Sequence, residues 1–229
     1  MKVVILCGGS GSRLAQETRK VPKPMIKIGG KPIVVHIMEH YQKYGFNEFI
    51  LACGYKIKIF KDYFKNQKKF KNVKIINTGI KTLTGKRLFK IKKFLKGEKN
   101  FMLTYGDGLS KQNLKKLFKF HLNHKKSATL TAVNHPSTFG ELNIDNNKVK
   151  KFNEKKRNKN QWINGGFFVF SGKIFKFLSN KNSMLEDELM SILVKKKELR
   201  AFKFKGFWKC LDNYKDKSEF QKIFKQKGY

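Results

Sequence analysis

Short apolar runs alternate along this chain with longer stretches in which apolar residues recur every three or four positions. Val3 to Leu6, Glu48 to Cys53, Val73 to Asn77, Asn100 to Thr104, Ala128 to Val133, Trp162 to Phe170 and Leu199 to Phe204 predict strands. Between them, Ile33, Val34, Ile37, Met38 and Tyr41 fall on one helical face until Gly45 ends it. Lys56 to Phe64, a stretch entered from Thr78 to Leu88 and running to about Leu95, Leu114 to Leu122, Ile174 to Leu178 and Leu185 to Lys195 predict further helices, and a basic helix closes the chain. Runs without alternation, such as Val3 to Leu6, suit strands buried on both faces, so the strand–helix–strand rhythm predicts an α/β fold. From His135 onward the pattern changes to hairpin-like pieces: Phe139 to Leu142, a turn at Asp145-Asn146-Asn147, and Val149 to Phe152. A polar run, Glu154 to Lys159, follows. The pair Gly165-Gly166 inside a strand predicts a bulge, a close approach of backbone to ligand, or a simple kink.

Composition narrows the picture. A chain of 229 residues without a Pro/Gly/Ser-rich linker suits a single domain, 1–229. No charged-then-apolar leader precedes the first strand, and no apolar run nears the roughly 20 residues of a membrane span, which predicts a cytoplasmic protein free of membrane. Cys7, Cys53 and Cys210 lack metal-type spacing and suit reduced thiols. The net charge of +36 invites a nucleic-acid reading. Arginine stands only at positions 13, 19, 87, 157 and 200, however, and the lysines are scattered over every predicted surface. Nucleic-acid binders gather charge on one face and favour arginine for bidentate contacts, so no specific nucleic-acid partner is expected. A preference for anionic substrates remains.

Candidate chemistry begins where the first strand ends. Cys7-Gly8-Gly9-Ser10-Gly11-Ser12-Arg13-Leu14 places three glycines ahead of a helical turn, a loop whose exposed N–H groups cradle phosphate. It is not a P-loop, since Gly11 is followed by Ser12-Arg13, nor a dinucleotide fingerprint, since Leu14 replaces the third glycine. Pro22-Lys23-Pro24 follows it. Thr78 to Leu88 repeats the design, with hydroxyls and glycines before a helix, although a capped helix start would look the same. Asp107, between Gly106 and Gly108, leaves a strand at the sheet edge where ligands of α/β proteins collect, as a hard cation carrying a triphosphate requires. His36 and His40 are four apart but lack a third zinc ligand, which favours packing or exposure.

Four pieces stand in one order: Gly8 to Leu14 with Lys23, Thr78 to Leu88, Tyr105 to Gly108, and Ile163 to Phe170 with Gly206 to Asp212. Together they resemble the cytidylyltransferase branch of the sugar-1-phosphate nucleotidyltransferases, nearly end to end. The resemblance implies a three-layer α/β/α fold with a mixed, mostly parallel central sheet, of the nucleotide-diphospho-sugar transferase type. It divides the domain into a nucleotide-binding half, 1–133, and a sugar-phosphate-binding half, 134–229. The implied reaction is transfer of CMP from CTP to a sugar 1-phosphate, with glucose 1-phosphate as the expected acceptor. A sister enzyme using UTP, dTTP or GTP is the nearest alternative, and a lysine-rich nucleic-acid binder a remote one. By similarity, Arg13 and Lys23 are catalytic, and Leu6, Cys7, Gly8, Gly9, Ser10, Gly11, Ser12, Thr82 and Arg87 complete the nucleotide site. Gly140, Glu154, Lys155, Asn164 and Gly165 correspond to sugar-phosphate contacts, and Asp107 and Asp212 to ligands of Mg²⁺. A homo-oligomer is expected.

Overall fold

Strand β1 (Lys2–Cys7) buries both faces: Val3, Ile5 and Cys7 join one apolar cluster, Val4 and Leu6 a second. In the computed structural model, which describes residues 1–134, 141–145, 147–153 and 161–227, the chain then passes through α1 (Ala15–Thr18) and the short β2 (Lys27–Ile28) and β3 (Lys31–Pro32). Next come α2 (Ile33–Lys43), β4 (Glu48–Cys53), α3 (Ile57–Lys65), β5 (Val73–Asn77), α4 (Thr84–Ile91), β6 (Asn100–Tyr105) and β7 (Gly108–Ser110). The second half comprises α5 (Leu114–His124), β8 (Ala128–Val133), β9 (Glu141–Asp145), β10 (Lys148–Asn153), β11 (Ile163–Ser171), α6 (Ser191–Lys195), β12 (Leu199–Phe204), β13 (Trp208–Cys210) and α7 (Tyr214–Lys227).

Seven strands form one sheet in the order β12-β8-β11-β6-β1-β4-β5. All neighbours are parallel except β11, which runs antiparallel to both β6 and β8. Helices cover both sides. Ile33, Val34, Ile37, Met38 and Tyr41 of α2, Phe60 and Phe64 of α3, Leu114 and Leu117 of α5 and Phe220 of α7 pack on one face. Leu88 and Ile91 of α4, Leu185, Leu189 and Met190, and Leu193 of α6 pack on the other. Each such side chain withdrawn from water contributes about 1.5–3 kcal/mol, so the sheet and its two helical layers form one three-layer unit.

Some boundaries differ from the sequence expectation. The helix expected over Ile174 to Leu178 is a 3-10 turn at Gly172–Lys176, a single turn too short to settle into α geometry. The helix expected from Leu185 to Lys195 opens as a π-turn, Leu185–Met190, which brings Leu185, Leu189 and Met190 into the core before α6 begins. Helix α4 stops at Ile91 and continues as a 3-10 turn to Leu95. Strands β9 and β10 pair antiparallel on either side of the expected turn, with Asn147 left-handed at φ 64° and Asn146 outside the described residues. The glycine pair makes the expected bulge: the register of β11 against β8 shifts between Asn164 and Phe168.

This order creates the site. The chain leaves β1, adds β4 and β5 on one side, and returns to place β6 on the other. Strands that depart in opposite directions leave a crevice beyond their carboxyl ends. The glycine loop after β1 and Asp107 after β6 both open into it.

Candidate active site

A cleft of about 670 Å³ lies at this edge. The glycine loop, Lys23, Ile80 to Thr84, Tyr105 to Asp107, Glu186 and Asp212 line it. Gly11 is left-handed, φ 66°, and a Cβ there would lie 2.8 Å from Thr18 Cγ2 and 3.0 Å from Lys23 Cβ. The tight turn therefore needs glycine, and Thr18 fastens it by donating to the Gly11 and Leu14 carbonyls at 3.2 and 3.1 Å. Gly106 serves a neighbouring purpose. Its N–H donates to the Leu6 carbonyl at 3.1 Å, and a Cβ would meet Pro24 Cγ at 2.8 Å, so only glycine lets the Lys23-Pro24 turn close over the strand end.

Lys23 Nζ lies 2.8 Å from Asp107 Oδ2 and 2.8 Å from Asp212 Oδ1. Arg13 Nη1 is 3.5 Å from the other Asp212 oxygen. Burial works against the Lys23 ammonium, but Asp107 and then Asp212 outweigh it and hold its pKa above the ordinary lysine value. Burial likewise opposes the Asp212 carboxylate, and Lys23 reverses the effect, leaving its pKa below the ordinary range. Both shifts favour the charged forms of Lys23 and Asp212 at neutral pH.

The two aspartates come together through pairing that no local pattern signals. Strand β7 follows Asp107 directly and pairs antiparallel with β13, Cys210 opposite Gly108, and the Leu211 N–H donates to the Asp107 carbonyl at 2.9 Å. Asp212 is then fixed by the start of α7. Asp216 Oδ2 accepts from the N–H groups of Asp212 and Asn213, both at 3.0 Å, while Asn213 Oδ1 accepts from the Asp216 N–H, a reciprocal cap. Tyr214 Oη accepts from the Gln16 N–H at 3.0 Å, which ties α7 to the segment following the glycine loop.

Among the described residues, Asp107, Cys210 and Asp212 are the only group of three or more side chains able to share a metal ion, their donor atoms lying within 4.8 Å. The two carboxylates suit a hard divalent cation, and the ammonium between them marks a position built for positive charge. Cys210 is a poor third ligand for such an ion, because burial and then the two aspartates push its thiol well above the ordinary cysteine value. His36 is buried against the Ile28 carbonyl at 2.8 Å, and the His40 ring packs edge-on against Tyr44.

Arg87 lines the cleft, yet its guanidinium faces main chain. It is 2% exposed and donates to the carbonyls of Cys53 and Gly8, both at 3.1 Å, to Thr82 O at 2.6 Å, and to the Thr78 hydroxyl. A Cβ on Gly8 would sit 1.9 Å from the guanidinium carbon, so Gly8 and Arg87 lock together. Arg87 thus acts as a clamp joining three loops. Thr82 belongs to the same wall, its hydroxyl donating to Thr78 O at 2.6 Å.

The expected nucleotide residues Leu6, Cys7, Gly8, Gly9, Ser10, Gly11, Arg13, Lys23, Thr82 and Arg87 all line the cleft, whereas Ser12 is exposed beside it. Asn164 and Gly165, on β11, are not among the residues that line it. Gly166, left-handed at φ 74°, packs on the Tyr105 ring, and its N–H donates to Asn164 Oδ1 at 2.8 Å. Gly140, Glu154 and Lys155 lie outside the described residues. Tyr105, Thr84, Met184 and Glu186 were not singled out in the sequence. Glu186 arrives through the packing of the 183–186 segment on α4, where Gly85 N–H donates to Ser183 O at 3.0 Å and Leu185 N–H to Thr84 Oγ1 at 2.7 Å. A larger cavity, about 780 Å³, opens behind α4 beside Phe89 and Phe175. Lysines and one acid, Glu98, rim it, and it holds neither glycine loop nor paired carboxylates.

A glycine cradle, two cations and two convergent carboxylates at an α/β switch point are what nucleotide transfer needs. The chain belongs to the nucleotidyl transferase family, whose model matches residues 2–222. Within it, the chain is 39% identical to the glucose-1-phosphate cytidylyltransferase of Salmonella typhi, over 95% of this chain and 93% of that protein. It is 40% identical to the "Probable glucose-1-phosphate cytidylyltransferase" of Bacillus subtilis (strain 168), over 99% of this chain and 97% of that one. Among solved structures, HddC from Yersinia pseudotuberculosis complexed with GMP-PN is 26% identical with a TM-score of 0.77, covering 97% of this chain and 99% of that one. The mixed, mostly parallel sheet with flanking helices is the nucleotide-diphospho-sugar transferase fold. Among the described residues, no helix is long and apolar enough to cross a membrane.

Proposed function

We propose that this enzyme transfers CMP from CTP to glucose 1-phosphate, giving CDP-glucose and pyrophosphate. Choice of CTP and glucose 1-phosphate draws on the 39–40% identity to cytidylyltransferases along nearly the whole chain. The observation that carries the chemistry is the meeting of Lys23, Arg13, Asp107 and Asp212 at the mouth of the glycine loop.

In this reading an oxygen of the sugar phosphate attacks the α-phosphorus of CTP. The bond to the β-phosphate oxygen breaks, and its electron pair leaves with pyrophosphate. No side chain becomes covalently attached, so the protein aligns two anions and neutralises their repulsion. The N–H groups of Gly8 to Gly11 hold the triphosphate. Arg13, with its side chain 77% exposed, reaches out to the departing β- and γ-phosphates. Lys23 turns from its carboxylates to the α-phosphate, where charge builds in the transition state. Asp107 and Asp212 would hold Mg²⁺, which would supply further charge neutralisation. Asn164 and Gly165, with Gly140, Glu154 and Lys155, serve the sugar phosphate in the half from 134 to 229, and 1–133 serves the nucleotide. We place the enzyme in the cytoplasm, as a homo-oligomer, making an activated sugar for polysaccharide synthesis.

Pyrophosphate release over a panel of CTP, UTP, dTTP, GTP and ATP, each with glucose 1-phosphate and other sugar phosphates, tests the assignment. CTP with glucose 1-phosphate should give the highest kcat/KM. Activity confined to GTP or ATP would refute it.

A further inference from the structure

Glu186 stands out in the cleft for the company it keeps. The chain carries 52 basic residues against 16 acidic ones, yet among the described residues no lysine or arginine pairs with this carboxylate. Its two hydrogen bonds come from neutral hydroxyls: Tyr105 Oη donates to Oε1, and Thr84 Oγ1 donates to Oε2 at 3.3 Å. Every other carboxylate named as lining the cleft, Asp107 and Asp212, is matched by a cation.

A carboxylate presents about four acceptor sites, and hydroxyls occupy two here. Phosphates of either substrate are repelled by it and cannot use the remainder. A neutral polyol can, because adjacent ring hydroxyls donate in parallel to the two oxygens of one carboxylate. The surroundings keep the group rigid for such a task. Burial, and then Glu186 itself, hold the Tyr105 phenol protonated, so it remains a donor. The ring is packed from behind by Gly166, where a Cβ would approach Tyr105 Cδ2 to 2.6 Å. The phenol that donates to Glu186 therefore rests against the β11 bulge.

We propose that Glu186 is a specificity residue that accepts hydrogen bonds from a vicinal pair of hydroxyls on a substrate sugar ring. This inference rests on the nucleotide-transfer reading above and adds to it the group that selects the sugar. Two rings could supply the diol, the hexose of the acceptor or the ribose of the nucleotide, and substrates lacking single hydroxyls separate them.

The experiment compares wild type, Glu186→Ala and Glu186→Gln with glucose 1-phosphate against its 2-, 3- and 4-deoxy analogues, and with CTP against 2′-deoxy-CTP. Wild type should lose roughly 10–100-fold in kcat/KM when the hydroxyl that Glu186 reads is removed. In Glu186→Ala that penalty should shrink to about threefold or less, with the loss concentrated in KM, and Glu186→Gln should fall between. A shrinking penalty with the deoxyhexoses assigns the acceptor ring; one with 2′-deoxy-CTP assigns the ribose. Should both variants lose activity by one factor for every substrate, with ratios unchanged, Glu186 is a brace between Thr84 and Tyr105 and the proposal fails. It also fails if only the preference for CTP over UTP changes, which would mark Glu186 as a reader of the base amine. Wild type inactive with every nucleotide and sugar phosphate would instead overturn the nucleotide-transfer reading itself. If Glu186→Ala does not fold, the ratios from Glu186→Gln decide between these outcomes.

Discussion

Arg13, Lys23, Asp107 and Asp212 form a chain of alternating charges at the mouth of the glycine loop, whereas Glu186, in the same cleft, meets only hydroxyls. The first arrangement suits a reaction in which charge migrates from one phosphate to another. Its cations and carboxylates are paired with one another at 2.8 to 3.5 Å. The second suits recognition of a neutral ring, where a strong acceptor is useful and a nearby cation would only compete for it. One cleft therefore separates rate from selectivity, and substitutions at its two ends should differ in kind. Those at the phosphate end should slow every substrate alike; those around Glu186 should change the ranking of substrates.

The largest effect is expected at the phosphate end. Asp107→Asn and Lys23→Ala should each lower kcat by roughly 10²–10³, the scale for one preorganised electrostatic contact, in steady-state pyrophosphate assays. Near-normal turnover in both would erase the distinction between the ends. Next is Arg87, which belongs to neither end but joins the loops that carry them. Arg87→Leu takes the guanidinium donor from the Gly8 and Thr82 carbonyls and the Thr78 hydroxyl, while Cys53 O keeps the Thr78 N–H and hydroxyl, and should destabilise the fold by about 3 kcal/mol or more, seen as a lower urea midpoint. A smaller change is expected from Thr84→Val, which removes one hydroxyl from Glu186 and the partner of Leu185 N–H. A cost of about 1 kcal/mol in stability should appear in the same denaturation experiment.

The smallest effect is one of pH. Because Lys23 depresses the folded pKa of Asp212, their pairing stabilises the protein above the unfolded carboxyl value of about 3.9 and is lost as pH falls through the lower folded value. Lys23, raised, and Asp212, lowered, thus keep their charges from roughly pH 5 to 9. In Lys23→Ala the Asp212 carboxyl should return toward its ordinary value, and the variant should show a smaller loss of stability than wild type on acidification below about pH 4. Equal acid sensitivity in the two proteins would mean that the observed pair contributes nothing to the fold.

Much of this architecture was legible in the sequence because its signals are local. The apolar run of β1, the helical spacing in α2 and the glycines of the phosphate loop each report their own conformation, and Gly11 and the Gly165-Gly166 bulge behave as their residue types require. Lys23 and Asp107 could be picked out because each stands between two prolines or two glycines at the end of an element, and Arg13 because it follows the glycine loop directly. Asp212 could not be reached that way. Its position depends on the three-residue pairing of β7 with β13, two strands about a hundred residues apart that carry no alternation long enough to notice. Glu186 was hidden for a similar reason: it lies in an ordinary acidic stretch, Glu186-Asp187-Glu188, and gains its place only when the π-turn docks on α4. Arg87 was legible as a residue of the cleft, but its clamp on Gly8 and Cys53 is a matter of three-dimensional contact.

The stereochemistry at the α-phosphorus tests direct transfer most closely. With CTP carrying sulfur at the α-phosphate in one known configuration, a single in-line displacement between Lys23 and the glycine loop predicts a CDP-glucose analogue of inverted configuration, readable by phosphorus NMR. Retention of configuration would require two displacements through a covalent enzyme intermediate, and would contradict an account in which these residues only align and neutralise the two substrates.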